Sequence, residues 1–147
     1  MKKTRVLFLC TGNSARSQMA EAILRHYGGD HYEAFSAGTD PQGVNPLTET
    51  VLKESDISIE GLYSKNLDTY LGKKHFSYVI SVCSDAEKRC PSIFPGAGKR
   101  LKWFFEDPVS AEGTADEKLN IFRQVRDQIE EQVKRWISEK DSERCSD

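Results

Sequence analysis

The chain has 147 residues, 37% of them hydrophobic and 30% charged, a size that suits one globular domain with a single buried core. The formal net charge of -2 excludes a general nucleic-acid binder, because that role needs a strong basic excess to neutralise phosphates. No stretch approaches the ~18 consecutive apolar residues of a membrane span, and the apolar run near the start is too short for a signal peptide. We therefore expect a cytoplasmic protein without membrane contact, in which the four cysteines are more often catalytic or redox-active than paired in structural disulfides.

Strand-like and helix-like segments alternate along the chain. Four short apolar runs predict strands: residues 5–9, 32–36, 77–82 and 101–105. Helices are predicted from Ser17 to Gly28, from Pro46 behind the capping residue Asn45, in a short segment around 67–71, and from Thr114 to about Lys140. This alternation predicts an α/β fold with a parallel sheet that carries helices on both faces.

The domain organisation is simple. Residues 1–140 are expected to form a single domain, and the polar residues 141–147 a tail that frays. Thr114 and Glu117 have the spacing of a capping box, and the helix that they introduce carries an apolar stripe to its end. We find no internal repeat and no linker, and we expect a monomer.

The stretch "CTGNSARS" stands where the first strand ends and the first helix begins. Ligands bind at the carboxyl edge of such sheets, and Cys10 is placed there. Residues 11–15 form a tight turn whose backbone N–H groups can converge on an anion, helped by the helix dipole. Gly12 permits an unusual backbone angle and Asn13 tolerates the left-handed region, so the stretch predicts a site for a tetrahedral oxyanion.

Two side chains complete this predicted site. Arg16 offers a planar fork that can grip two oxygens of a phosphate-like group. The positive surroundings favour the thiolate form of Cys10, and Ser17 can donate a hydrogen bond to it. One segment thus supplies both the nucleophile and the anion cradle. The cradle is formed by Thr11, Gly12, Asn13, Ser14, Ala15 and Arg16.

The segment "VLFLCTGNSARSQMAEA", together with "SAGT", "GVNP", "CSDAEKRCP" and "DP", resembles the low-molecular-weight protein tyrosine phosphatase family. The motif "CTGNS.RSQMAE" is similar to that of the family's thiol-dependent arsenate reductase branch. The resemblance covers about residues 4 to 138. It implies a four-stranded parallel sheet flanked by helices, a cysteine nucleophile and an aspartate acid in an Asp-Pro loop. In this chain that acid is Asp107, in "FFEDPV" just past the fourth strand.

Reduction of arsenate to arsenite takes two electrons, so the reductase branch implies a second thiol. Cys83 follows the third predicted strand, and Cys90 comes seven residues later. We expect a relay in which Cys10 and Cys83 pair transiently and Cys83 and Cys90 pair next, with external thioredoxin as the reductant and no tightly bound cofactor. A helix over residues 83–90 would hold the two Cα atoms about 10 Å apart, beyond the about 7 Å that a disulfide spans, so oxidation is expected to refold this segment.

Two other functions remain open. A phosphotyrosine phosphatase of the same family needs only Cys10 and Asp107, but the aromatic residues that usually line its substrate slot are missing from "DPVSAEG". A redox sensor or oxyanion-binding module without turnover is the third reading, and the presence of Asp107 beside three cysteines argues against it.

Departures from the family pattern concern position 15 and a cation site. Ala15 stands where many relatives carry another cysteine, and the loop uses only the backbone there. In some relatives an alkali cation supports the loop, and Asn13, Glu21 and Ser36 match its partners. Lys65, however, stands where the remaining aspartate is expected, which makes a cation doubtful and suggests that the lysine itself supplies positive charge. No histidine has the spacing of a metal ligand to the cysteines, so no metal site is expected.

Overall fold

A computed structural model describes residues 3–70, 72–83 and 97–145. Its strands are β1 (Thr4–Cys10), β2 (Tyr32–Gly38), β3 (Phe76–Cys83) and β4 (Ala97–Phe104), which form one parallel sheet in the order β2-β1-β3-β4. The helices are α1 (Arg16–Gly28), α2 (Pro46–Glu54) and α3 (Ala115–Cys145), with short 3₁₀ helices at Leu67–Thr69 and Pro108–Ser110. The predicted α/β fold with a four-stranded parallel sheet is confirmed.

The strand order places the end of β1 at a branching point. β2 pairs with one side of β1 and β3 with the other, so the connections that leave the sheet here diverge. Cys10 is in register with Gly38 of β2, and its neighbour Leu9 is in register with Ser81 of β3. Parallel sheets hold ligands at such a divergence, which opens the crevice in front of Cys10.

Alternate residues of β1 build two cores. Val6, Phe8 and Cys10 join the larger core, to which α1, α2 and α3 all contribute. Leu7 and Leu9 face the other side, where they pack with Phe76, Val79 and Tyr70 next to the 3₁₀ helix at Leu67–Thr69. The apolar stripe predicted for the last helix is buried in the larger core: Phe122, Val125, Ile129, Val133 and Trp136.

The predicted helix starts are confirmed in detail. Asn45 caps α2 by accepting the Leu47 N–H at 2.9 Å, with Pro46 in the first turn. Thr114 Oγ1 accepts the Glu117 N–H at 3.1 Å, and the Glu117 carboxylate reaches back to the Thr114 N–H. Both elements are therefore fixed by local sequence.

The largest differences from the predicted boundaries are at the start of β4 and the end of α3. β4 begins at Ala97, four residues before the predicted start, because Lys99 and Arg100 pair with β3 through their backbone while their side chains stay exposed. α3 continues to Cys145, through most of the predicted tail. Within the ranges that the structure describes, no helix is both long and apolar enough to cross a bilayer.

Candidate active site

Cys10 lies at the floor of a cleft of about 320 Å³ at the carboxyl edge of the sheet. Its side chain is buried, with 2% of its surface exposed. The cleft is lined by the loop after β1, by the segment after β2 and by the loop after β4: Cys10, Thr11, Gly12, Ser14, Ala15, Arg16, Asp40, Gln42, Asp107 and Val109. Three sequence-distant segments thus enclose one small space in front of the thiol.

The carbonyl oxygens of the loop after β1 are turned away from this cleft. Those of Thr11, Gly12 and Ser14 accept backbone N–H groups of the segment after β2, at 2.9, 2.9 and 3.0 Å; the donors are Asp40, Gln42 and Asn45. The other two, of Asn13 and Ala15, accept the Gln18 side chain and the Met19 N–H. A trans peptide points its C=O and the next N–H in opposite directions, so we expect the N–H groups of residues 12–16 to face the other way, as the Asn13 N–H does toward Cys10 Sγ.

Two donors hold the Cys10 sulfur. The Asn13 backbone N–H lies 3.2 Å from Sγ, and the Ser17 hydroxyl oxygen lies 2.8 Å from it. Asn13 Nδ2 donates to the same Ser17 oxygen at 2.7 Å, which leaves the Ser17 proton free to point at the sulfur. Donors of this kind stabilise a thiolate, the form of cysteine that acts as a nucleophile.

Asn13 is the residue on which the loop turns. It has φ of 48°, so the left-handed conformation falls on Asn13 and not on Gly12. Its buried side-chain oxygen accepts the Lys65 N–H at 2.9 Å and the Gln18 side chain at 3.0 Å. Because the backbone N–H of Lys65 can only donate, this contact fixes the orientation of the amide and directs Nδ2 toward Ser17.

Arg16 connects the loop to the segment after β4. Its guanidinium is buried and donates to the Phe105 carbonyl at 3.2 Å, while Nη2 lies 3.7 Å from Asp107 Oδ2. The other Asp107 oxygen accepts the Val109 N–H at 3.0 Å and caps the 3₁₀ helix at Pro108–Ser110. Asp107 keeps about a third of its side chain exposed, so a carboxyl group stands at the mouth of the cleft, facing the thiol region.

A model of the low molecular weight phosphotyrosine protein phosphatase family matches residues 5–145. The chain belongs to this family. An arsenate reductase of Halalkalibacterium halodurans is 42% identical over 134 residues, which are 91% of this chain and 95% of that protein. The family resemblance read from the motifs is thereby confirmed.

Solved structures show the same fold. An arsenate reductase from Archaeoglobus fulgidus superposes with a TM-score of 0.74 at 27% identity, covering 90% of this chain and 98% of that one. A thioredoxin-dependent arsenate reductase of Corynebacterium glutamicum superposes with a TM-score of 0.58 at 27% identity, covering 90% of this chain and 62% of that one.

Two residues that support this phosphatase-family loop, Gly38 and Ser64, were not predicted from the sequence. Gly38 lies so close that a Cβ there would come within 2.5 Å of the Thr11 carbonyl oxygen, so the position excludes every larger residue. Residues 63–66, which we call the support segment, bond the loop from behind. Ser64 Oγ donates to the Gly12 carbonyl at 3.3 Å, and the Lys65 carbonyl accepts the Gly38 N–H at 2.9 Å. Gly38 lies within the stretch "SAGT" that carries the family resemblance, and this motif is the signal that could have indicated its role.

The predicted relay falls only partly within the described chain. Cys83 is the last residue of β3, paired with Phe104 of β4, and β3 adjoins β1. The backbone of Cys83 therefore ends at the same sheet edge as Cys10. Cys90 and the side chain of Cys83 lie outside the described residues, so the Cys10–Cys83 and Cys83–Cys90 pairings stay predictions.

The residues predicted as partners of a cation surround a lysine. Ser36 Oγ donates to Glu21 Oε1 at 2.7 Å, and Lys65 Nζ lies 3.7 Å from the same oxygen. Burial raises the pKa of Glu21 and lowers the pKa of Lys65. Among the residues described, no three His, Cys, Asp or Glu side chains cluster as they would around a metal ion.

Proposed function

We propose that this chain reduces arsenate to arsenite, with Cys10 as the nucleophile. The observation that carries the proposal is the Cys10 thiol at the floor of the cleft, held by two donors and faced by Arg16 and Asp107. Arsenate reductases that are about 40% identical over nine-tenths of the chain support the choice of substrate.

In the first step, the Cys10 thiolate attacks arsenic and an S–As bond forms. The inward N–H groups of the loop and the Arg16 guanidinium neutralise the charge on the equatorial oxygens. Asp107 gives its proton to the departing oxygen, which leaves as water when the As–O bond breaks. Arsenic is still pentavalent at this point, because no electron pair has moved to it.

The second step transfers two electrons. The Cys83 thiolate attacks the Cys10 sulfur, an S–S bond forms, and the pair of the S–As bond stays on arsenic, which leaves as arsenite. Cys90 then attacks Cys83, which frees the Cys10 thiolate and leaves a Cys83–Cys90 disulfide. A dithiol protein, thioredoxin, then reduces the Cys83–Cys90 disulfide and is itself oxidised, as the name of the thioredoxin-dependent Corynebacterium glutamicum relative suggests.

Hydrolysis of a phosphotyrosine is the second candidate, favoured by the family match and by the same Cys10, Arg16 and Asp107 geometry. Within the part of the chain that is described, however, no aromatic side chain lines the cleft. The phenol ring of a phosphotyrosine would lack a stacking partner there. We therefore place phosphatase chemistry second, as a side activity on small aryl phosphates.

Arsenate-dependent NADPH oxidation with thioredoxin and thioredoxin reductase tests the proposal. We expect sustained turnover in the wild type, loss of turnover in Cys83→Ser and in Cys90→Ser, and unchanged turnover in Cys145→Ser, the matched control. Arsenate-independent background is subtracted for each variant. A different outcome would instead establish the phosphatase. In that case the protein shows no arsenate turnover, and it hydrolyses p-nitrophenyl phosphate at a rate that none of the three substitutions changes.

A further inference from the structure

We propose that Lys65 is a positioning residue whose buried ammonium neutralises Glu21 directly behind the oxyanion loop, so that the loop can bind a dianion in front. This inference rests on the proposed function in one respect: it assumes that the cleft binds an oxyanion.

Lys65 reaches the loop through its backbone and Glu21 through its side chain. The Lys65 N–H donates to Asn13 Oδ1 at 2.9 Å, and the Asn13 amide in turn donates to Ser17, which contacts the Cys10 sulfur. The ammonium donates to the Tyr63 carbonyl at 2.8 Å and lies 3.7 Å from Glu21. One residue thus joins the thiol network and the buried carboxylate.

Glu21 places a negative charge behind an anion site. It follows Ser17 by four residues on α1, about 6 Å along the helix axis and on the same face. Its side chain is 6% exposed, so water screens its charge only weakly. An unneutralised carboxylate at this position would oppose both the Cys10 thiolate and a bound oxyanion.

The remaining partners of Glu21 cannot replace Lys65. Ser36 donates one hydrogen bond but carries no charge. Arg25 lies 3.7 Å from Glu21 Oε2, yet 39% of its side chain is exposed, and solvent screens its charge. Lys65, at 6% exposure, is the buried cation of the pair. Burial raises the pKa of Glu21 and lowers the pKa of Lys65, while Lys65, the Ser36 hydrogen bond and Arg25 all favour the carboxylate form of Glu21.

The charge of the Lys65 side chain and the backbone contacts of Lys65 in the support segment can be tested separately. Lys65→Met keeps the backbone contacts to Asn13 and Gly38 but leaves Glu21 without its buried counter-ion. Glu21→Gln removes the opposing charge itself. A role through charge therefore requires the two substitutions to act in opposite directions on anion binding, whereas a purely structural role requires both to weaken it.

The test uses Cys83→Ser/Cys90→Ser/Cys145→Ser protein, in which Cys10 is the sole thiol and no reduction occurs. Inorganic phosphate is titrated by calorimetry, and Cys10 alkylation by iodoacetamide is followed against pH. Lys65→Met should weaken phosphate binding on the order of tenfold and move the alkylation midpoint to higher pH. Glu21→Gln should bind phosphate at least as tightly as the parent, and adding it to Lys65→Met should restore binding. Lys73→Met, at an exposed lysine, is the control and should match the parent.

Three results would overturn the proposal: unchanged phosphate binding in Lys65→Met, no restoration in the double variant, or weakened binding in Glu21→Gln. Phosphate binding by Glu21→Gln, compared with the parent, tests the proposal even if Lys65→Met does not fold. Because no readout involves arsenate reduction, a failure here is separate from a failure of the reductase proposal. A parent protein that binds no phosphate would overturn this inference, whereas the reductase proposal is decided by arsenate turnover.

Discussion

The loops that follow β1 and β4 meet in one cleft but are held very differently. In the first, each carbonyl oxygen of residues 11–15 has a hydrogen-bond partner, and Asn13, Arg16 and Ser17 are buried. In the second, Asp107 is about one third exposed and is held by the Val109 N–H and a 3.7 Å contact to Arg16. The anion cradle is therefore preorganised from buried groups, whereas the acid is a partly exposed side chain at the rim of the cleft.

This difference separates binding from proton transfer. Preorganised donors stabilise charge without rearranging during the reaction, so changes in the first loop should weaken anion binding and turnover together. Changes at Asp107 should lower the rate of the chemical step far more than they change anion binding, because its carboxylate reaches the cradle only through the 3.7 Å contact to Arg16.

The largest effect is expected for Cys10→Ser. Without the thiolate no S–As bond forms, so arsenate turnover should fall to the background rate, while phosphate still binds within a few-fold of wild type because the N–H groups remain. Turnover assays and calorimetric titration with phosphate measure the two properties. Loss of phosphate binding as well would show that the sulfur itself holds the cradle together.

Asp107→Asn should lower kcat by about 10²-fold, the contribution of a positioned general acid. Phosphate binding should be unchanged or slightly tighter, because a negative charge leaves the mouth of the cleft. Glu106→Gln, next to it in sequence, is the matched control and should keep wild-type kcat. A loss of phosphate affinity equal to the loss of kcat would contradict the separation of the two loops.

Asn13→Ala should weaken phosphate binding and kcat together, about tenfold, and reduce the free energy of unfolding by about 2–3 kcal/mol, because buried partners lose their hydrogen bonds. Asn13→Gly is the control for the backbone, since glycine adopts φ of 48° without strain. If the glycine variant equals wild type, the side-chain network from Lys65 to Ser17 has no role in the cradle.

The smallest effect is expected far from the cleft, at Glu54, which Arg123 and Arg126 tie to α3. The hydrogen bond from Arg123 lowers the pKa of this carboxyl, so the pair stabilises the fold above the ordinary carboxyl range and loses that contribution as the pH falls through the lowered pKa. Glu54→Gln should lower the melting temperature slightly at pH 7 and not at all in acid. Turnover should not change, and a changed turnover would place α2 within the functional network.

The sequence alone located the parts of the site that are local. Cys10, Arg16 and Ser17 lie on one strand, turn and helix, and Asp107 follows an apolar strand. Local patterns could not find the support behind the loop: the family resemblance alone pointed to Lys65, and Gly38 was given no role. Gly38 follows Thr11 by 27 residues and Lys65 follows Asn13 by 52, and no periodicity links such distant positions.

Element boundaries failed for a related reason. An exposed edge strand accepts charged side chains. Because Lys99 and Arg100 are charged, the apolar pattern used to predict strands did not extend to the start of β4. The end of α3 lacks apolar residues after Ile137, so its last turns gave no amphipathic pattern.

The most direct test of the account is a single turnover of the reduced protein with excess arsenate and no reductant, with arsenite measured by chromatography and free thiols by titration. We expect one arsenite per chain and the loss of two thiols in the wild type, and no arsenite from Cys83→Ser. A wild-type protein that binds phosphate but yields no arsenite and keeps all its thiols would contradict the proposed reduction and leave the cleft to phosphate ester hydrolysis.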